Sequence, residues 1–76
     1  MTILVNNQET VMGMGSYVLK ASGALDLQWD LDDGNGFNTV TGGSFTAASD
    51  NIITLPTCKL KVINAGANTL TIRIIR

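Results

Sequence analysis

Residues 24–31 read ALDLQWDL, with Leu25, Leu27, Trp29 and Leu31 alternating against Asp26, Gln28 and Asp30. A period of two sends successive side chains to opposite faces of a pleated strand, so this segment predicts a half-buried β-strand. The same period recurs in CKLKVI (58–63), through Cys58, Leu60 and Val62, and in TLTIRII (69–75), through Leu70, Ile72 and Ile74. Further strand candidates are residues 2–5, 16–21, 37–41, 44–47 and 51–55. Between these runs lie clusters of Gly, Asn, Asp and Ser, residues that favour turns. Helix formers are scarce: Glu9 is the one glutamate and there are three lysines, whereas Thr, Asn and Gly abound. The expectation is an all-β fold, a small antiparallel β-sandwich or barrel of about seven or eight short strands.

Parity proposes two hairpins. Pairing 58–63 with 69–75 across NAGAN (64–68) places Leu60 opposite Ile72 and Val62 opposite Leu70, with Gly66 supplying a positive φ in the connection. A one-residue slip would reverse the faces, so odd registers are disfavoured. The core expected from these faces is Leu25, Leu27, Trp29, Leu60, Val62, Leu70, Ile72 and Ile74. The opposite face of that hairpin carries Lys59, Lys61, Ile63, Thr71, Arg73 and Ile75. It is either ordinary surface or a contact surface, so Lys59, Lys61, Ile63, Arg73 and Ile75 are the candidate interface residues.

The second hairpin joins ALDLQWDL to the strand opened by Phe37, through DLDDGNGF (30–37). A loop of residues 32–36 puts Leu31 opposite Phe37 and Trp29 opposite Thr39. The run could instead hold a cation through Asp30, Asp32 and Asp33. An EF-hand-like loop needs oxygen ligands at positions 1, 3, 5 and 12 and glycine at 6. Counted from Asp30, Gly34 falls at the fifth place, Asn35 at the sixth and Thr41 at the twelfth, so the motif fails. Asp-Gly and Asn-Gly are strong hairpin signals, and the run reads as a turn with no metal site.

The totals narrow the function classes. A 76-residue chain is one domain, residues 1–76. A domain of this size buries roughly 60% of the surface its unfolded form exposes, and is modestly stable without a disulfide, a metal or a partner. Cys58 is the lone cysteine and there is no histidine, which removes internal disulfides and leaves zinc without its usual ligands. Histidine-based nucleophilic pairs are removed too. Neither GMGS (13–16) nor GG (42–43) makes a phosphate loop. No catalytic residue and no cofactor is expected, and the chain does not read as an enzyme. Five basic residues against six acidic, with a pI near 4.9, give no basic stripe for nucleic acid. No apolar run approaches the ~18 residues of a membrane span. The segment MTILVNNQE lacks the charged and long apolar regions of a signal peptide. A lone free thiol, Cys58, fits production in a reducing cytoplasm, which is the expectation. Self-association or a partner surface remains as the support. MTILVNNQETVMG (1–13), apolar at both ends, could serve as an N-terminal arm or added strand on a neighbouring subunit.

The stretch LDLQWDLDDGNGFNTV (25–40) resembles the v-l-q-x-S-x-D-G-G-x-F-x-x-V strand–turn–strand of small all-β structural proteins of tailed bacteriophages. Those proteins often continue through a Thr/Ser-rich run and a Leu-Pro dipeptide to an R-V-x-N-A-G-like hairpin. Here GGSFTAASDNIITLPTCKLKVINAGANTLTIRI (42–74) is similar to that continuation. The resemblance spans about two thirds of the chain; Asp30 stands where the pattern often has a small residue, and residues 1–23 match no part of it. It implies a virion protein, most of all a capsid decoration (cement) subunit that binds the major capsid protein on the head exterior. A tail, neck or fibre accessory subunit is the alternative. Such proteins are commonly homotrimers. From another class, a small carbohydrate-binding module using Trp29 or Tyr17 stands as the competing expectation.

Overall fold

The computed structural model describes residues 1–75 of the chain. Eight strands follow one another: β1 (Thr2–Leu4), β2 (Glu9–Met12), β3 (Gly15–Ala21), β4 (Leu25–Asp30), β5 (Phe37–Phe45), β6 (Ser49–Leu55), β7 (Cys58–Ile63) and β8 (Leu70–Ile74). They form two four-stranded antiparallel sheets, ordered β1-β8-β3-β6 and β2-β7-β4-β5. These are called the first and second sheets below. The all-β expectation holds, as a sandwich rather than a closed barrel. Among the described residues, every connection except β4–β5 crosses from one sheet to the other. Order 1-8-3-6 stacked on 2-7-4-5 is the jelly-roll arrangement of eight strands.

The inward faces follow the period of two. Leu19, Leu55, Leu70 and Ile72 from the first sheet meet Leu25, Leu27, Leu60 and Val62 from the second, each at most 1% exposed. Trp29 and Met12 pack against this core from its margin, half-buried. Ile74 departs from expectation. It pairs with Tyr17 near the end of the ladder, where the core no longer covers it, and is 42% exposed.

Three expectations about pairing are corrected. Strands β7 and β8 do not form a hairpin: β7 lies between β2 and β4, and β8 between β1 and β3. NAGAN is an arch between sheets, in which Asn64 and Gly66 both adopt positive φ (57° and 56°). Ala65 is buried beneath it, its amide donating to Asn6 Oδ1 at 3.0 Å. Parity cannot tell a hairpin from an arch, because both turn Leu60, Val62, Leu70 and Ile72 inward.

The β4–β5 hairpin exists, but one residue out of the expected register: Asp30 faces Phe37 and Trp29 faces Asn38. The loop that fits is Leu31–Gly36, with Asp32, Gly34 and Gly36 all at positive φ. Residues 37–41 and 44–47 also prove to belong largely to one strand. Between them the register jumps, from Gln28↔Thr39 to Asp26↔Ser44, so β5 carries a bulge where the Gly-Gly pair had suggested a break. Gly42 takes φ +80°, and a Cβ at buried Gly43 would lie 3.0 Å from that of Val40 and 3.2 Å from that of Leu27.

The N-terminal stretch is built into the sandwich as an edge strand of each sheet. β1 pairs with β8 and β2 pairs with β7, both within the chain. The turn between them is set by Asn7 at φ 65° and by reciprocal bonds between Val5 and Gln8. β2 escaped the sequence reading because its inward positions are Thr10 and Met12 while Val11 points out, 68% exposed.

Candidate functional site

The proposed interface residues fall on two opposite surfaces. Lys59, Lys61 and Ile63 alternate outward along β7, on the outside of the second sheet. Arg73 is exposed on β8, and Ile75 follows it with its amide bonded to Ser16 O at 2.9 Å, on the outside of the first sheet. Because β7 and β8 belong to different sheets, the five residues make no single patch. On the second sheet, Lys59 stands between Val11 and Asp30, and Lys61 between Glu9 and Gln28. The Lys61 ammonium also lies 5.6 Å from the centre of the Phe37 ring, at cation–π range.

The aspartate run is occupied with its own backbone. Asp30 Oδ1 accepts from the Asp32 amide at 2.9 Å, and Asp33 Oδ1 accepts from the Asn35 amide at 3.1 Å. The second bond holds the Asp33 carboxyl below its usual range. Both are side-chain-capped turns of the kind Asp favours. Among the described residues, no three His, Cys, Asp or Glu side chains converge as metal ligands would.

Asp26 is a residue that sequence reasoning passed over. Its Oδ1 accepts from Ser44 Oγ at 2.6 Å and its Oδ2 from Asn64 Nδ2 at 2.9 Å. These bonds, the Ser44 one foremost, lower its pKa against a smaller opposing effect of burial. The trio ties β4 to the bulged strand and to the β7–β8 arch. No sequence signal marks it, since Ser44 and Asn64 lie 18 and 38 residues away.

A cleft of about 350 Å³ opens at one end of the second sheet, between Val11, Asp30, Leu31, Asp32, Thr57 and Lys59, over Cys58. Cys58 is 5% exposed, and burial pushes its thiol pKa up. A protonated thiol is a poor nucleophile. Tyr17 is core, 4% exposed, its hydroxyl donating to Gly13 O at 2.6 Å, so it offers no ring face to a sugar. Trp29 is half-buried on the inward side of β4.

The outside of the first sheet is different in character. Ile3 is 51% exposed, Ile52 65% and Ile75 43%, with Val18 half-buried between them and Lys20, Arg73 and Asp50 alongside. Ladder pairing puts Arg73, Val18 and Ile52 in one row and Ile3, Thr71, Lys20 and Asp50 in the next. Of this face, only Arg73, Thr71 and Ile75 had been placed outward from sequence.

Compared with protein-family models, with curated proteins and with solved structures, the chain matches none.

Proposed function

We propose that this chain is a structural subunit of a tailed-bacteriophage virion, a decoration (cement) protein that binds the major capsid protein and stabilises the head exterior. The observation that carries this reading is the outer face of the first sheet, where Ile3, Ile52 and Ile75 stand exposed among Lys20, Arg73 and Asp50. Single exposed aliphatic residues are ordinary. Three on the outside of one sheet, spread over β1, β6 and the end of β8 and interleaved with charges, have the composition of a protein contact surface.

One further feature supports the reading. The stretch that resembles phage structural proteins, residues 25–40, falls on the β4–turn–β5 hairpin, the local structure the resemblance implies. The jelly roll also serves viral shells, lectins and cupins, which is an analogy of fold and selects no function by itself. A lectin-like role would call for an exposed aromatic platform, and Tyr17 is buried. In this reading the chain acts by binding rather than catalysis. Attachment to a shell stabilises the folded state by mass action, which suits a domain with little stability in reserve.

Co-sedimentation tests the proposal: purified chain is mixed with heads of its own phage that lack it, and with a glycan array as the rival. Saturable pelleting with heads and silence on glycans is the expected result. Glycan binding without head binding would replace this reading with the carbohydrate module.

A further inference from the structure

On the outer face of the first sheet, β3 and β6 present three facing pairs: Lys20 with Asp50, Val18 with Ile52, and Ser16 with Thr54. Each pair is complementary in kind. The first sets a cation opposite a carboxylate, the second two aliphatic side chains opposite each other, and the third two hydroxyls whose oxygens lie 3.2 Å apart. A two-fold axis lying in this face, along the strands and midway between β3 and β6, exchanges the two strands. Such an axis lays Lys20 of one copy over Asp50 of a second, Val18 over Ile52, and Ser16 over Thr54, and symmetry repeats each contact.

We propose that the β3–β6 face is where a second copy of this chain docks, through an isologous two-fold contact. Charge complementarity selects the occupant. Neither in-register alternative on this face matches as well: an axis between β8 and β3 would set Arg73 on Val18 and Thr71 on Lys20, and one between β1 and β8 would set Ile3 on Thr71. The surface also has relief suited to the contact. A depression of about 410 Å³ lies among Val18, Asp50, Asn51 and Ile52, beside the projecting Ile52 side chain, which is 65% exposed. A strip two strands wide covers only part of a broad face 29 Å across, so the contact belongs below the ~1,200 Å² of standard interfaces and is weak in dilute solution. Weak pairwise contacts gain strength when copies are already held side by side. The proposal deepens the decoration reading by dividing the face: the β3–β6 strip, Ile52 included, meets a second copy, while Ile3, Arg73 and Ile75 on the β1–β8 side stay open for the shell.

Sedimentation equilibrium of the full chain, from about 10 μM to 1 mM, tests it. The parent chain should show a reversible monomer–dimer equilibrium. Lys20→Asp alone and Asp50→Lys alone should each weaken the dimer about tenfold or more, because like charges then meet across the axis. An equimolar mixture of these two variants should regain the dimer mass, which no effect inside one chain can produce. Ile52→Asp should also abolish the dimer while leaving the melting temperature close to the parent's. A parent chain that stays monomeric at the highest concentration, a dimer indifferent to these changes, or a mixture that stays monomeric overturns the proposal. A monomeric chain that still decorates heads overturns this inference alone. A dimer that leaves heads bare overturns the decoration reading alone.

Discussion

Asn51 and Gly42 lock the two sheets together along one side of the sandwich: Asn51 Nδ2 donates to the Gly42 carbonyl at 2.8 Å. The other end of the same amide, Oδ1, accepts the Ile52 N–H at 2.9 Å. Residues 49, 51, 53 and 55 bond toward β3, as the alternation of the ladder requires, so the Ile52 amide belongs to the free edge of β6. Asn51 therefore covers an edge donor and pins it to the β5 bulge. Blunting an edge in this way guards against unwanted strand pairing.

Replacing Asn51 by alanine removes both bonds. The expected cost is about 0.5–1.5 kcal/mol in a urea titration, together with faster aggregation by light scattering. An unchanged midpoint and unchanged scattering would show that the edge is protected by other means.

Ile72 and Ile74 sit two residues apart on the same side of β8, yet one is 1% and the other 42% exposed. Truncating Ile72 or the fully buried Leu60 to alanine should cost about 2–5 kcal/mol, a large share of the total for a domain this small. Ile74→Ala should cost well under half of that. Equal losses at 72 and 74 would mean that the core extends further along the sandwich than its burial indicates.

In the 31–36 loop, Gly34 and Gly36 hold φ of 86° and 67° with open space where a Cβ would stand. Valine at either position meets no clash but is forced into the left-handed region, at about 1–2 kcal/mol or more for a β-branched residue. Asp33→Asn should be nearly neutral, because asparagine caps the same turn. A melting temperature that rises with millimolar calcium, and loses that rise in Asp30→Asn, would contradict the reading of this run as a turn.

Asp26 gives the fold a pH dependence. Its folded-state pKa lies below the ordinary 3.8 because Ser44 and Asn64 bond to the carboxylate. The unfolded chain then binds the proton more readily, so the stabilisation is present above that ordinary value and is lost as pH falls below it. Denaturation midpoints should drop between about pH 4 and pH 2 in the parent and drop less in Asp26→Asn. Parallel curves for the two chains would assign the acid sensitivity to other carboxylates.

The strand content and the inward faces were legible in the sequence because both depend on a period of two, which ALDLQWDL and CKLKVI display plainly. Partner choice was not legible. Leu60 and Ile72 face the core from opposite sheets, and the same alternation would have served a hairpin. β2 was hidden because its exposed Val11 and inward Thr10 reverse the usual polarity of a half-buried strand. The proposed interface inherited the pairing error: Lys59 and Arg73 were set side by side on a hairpin that the fold splits between two sheets. The face that did emerge draws on β1, β3, β6 and β8, segments up to 70 residues apart as in the Thr2↔Ile72 pair, and no local pattern brings them together.

Electron cryomicroscopy of undecorated phage heads incubated with the purified chain is the decisive experiment for a decoration subunit. Added density at regular positions on the outer surface is expected, saturating with concentration, with shells that withstand higher temperature than bare ones. Heads that remain bare at saturating concentrations of folded chain, with no change in their disassembly temperature, would contradict that role.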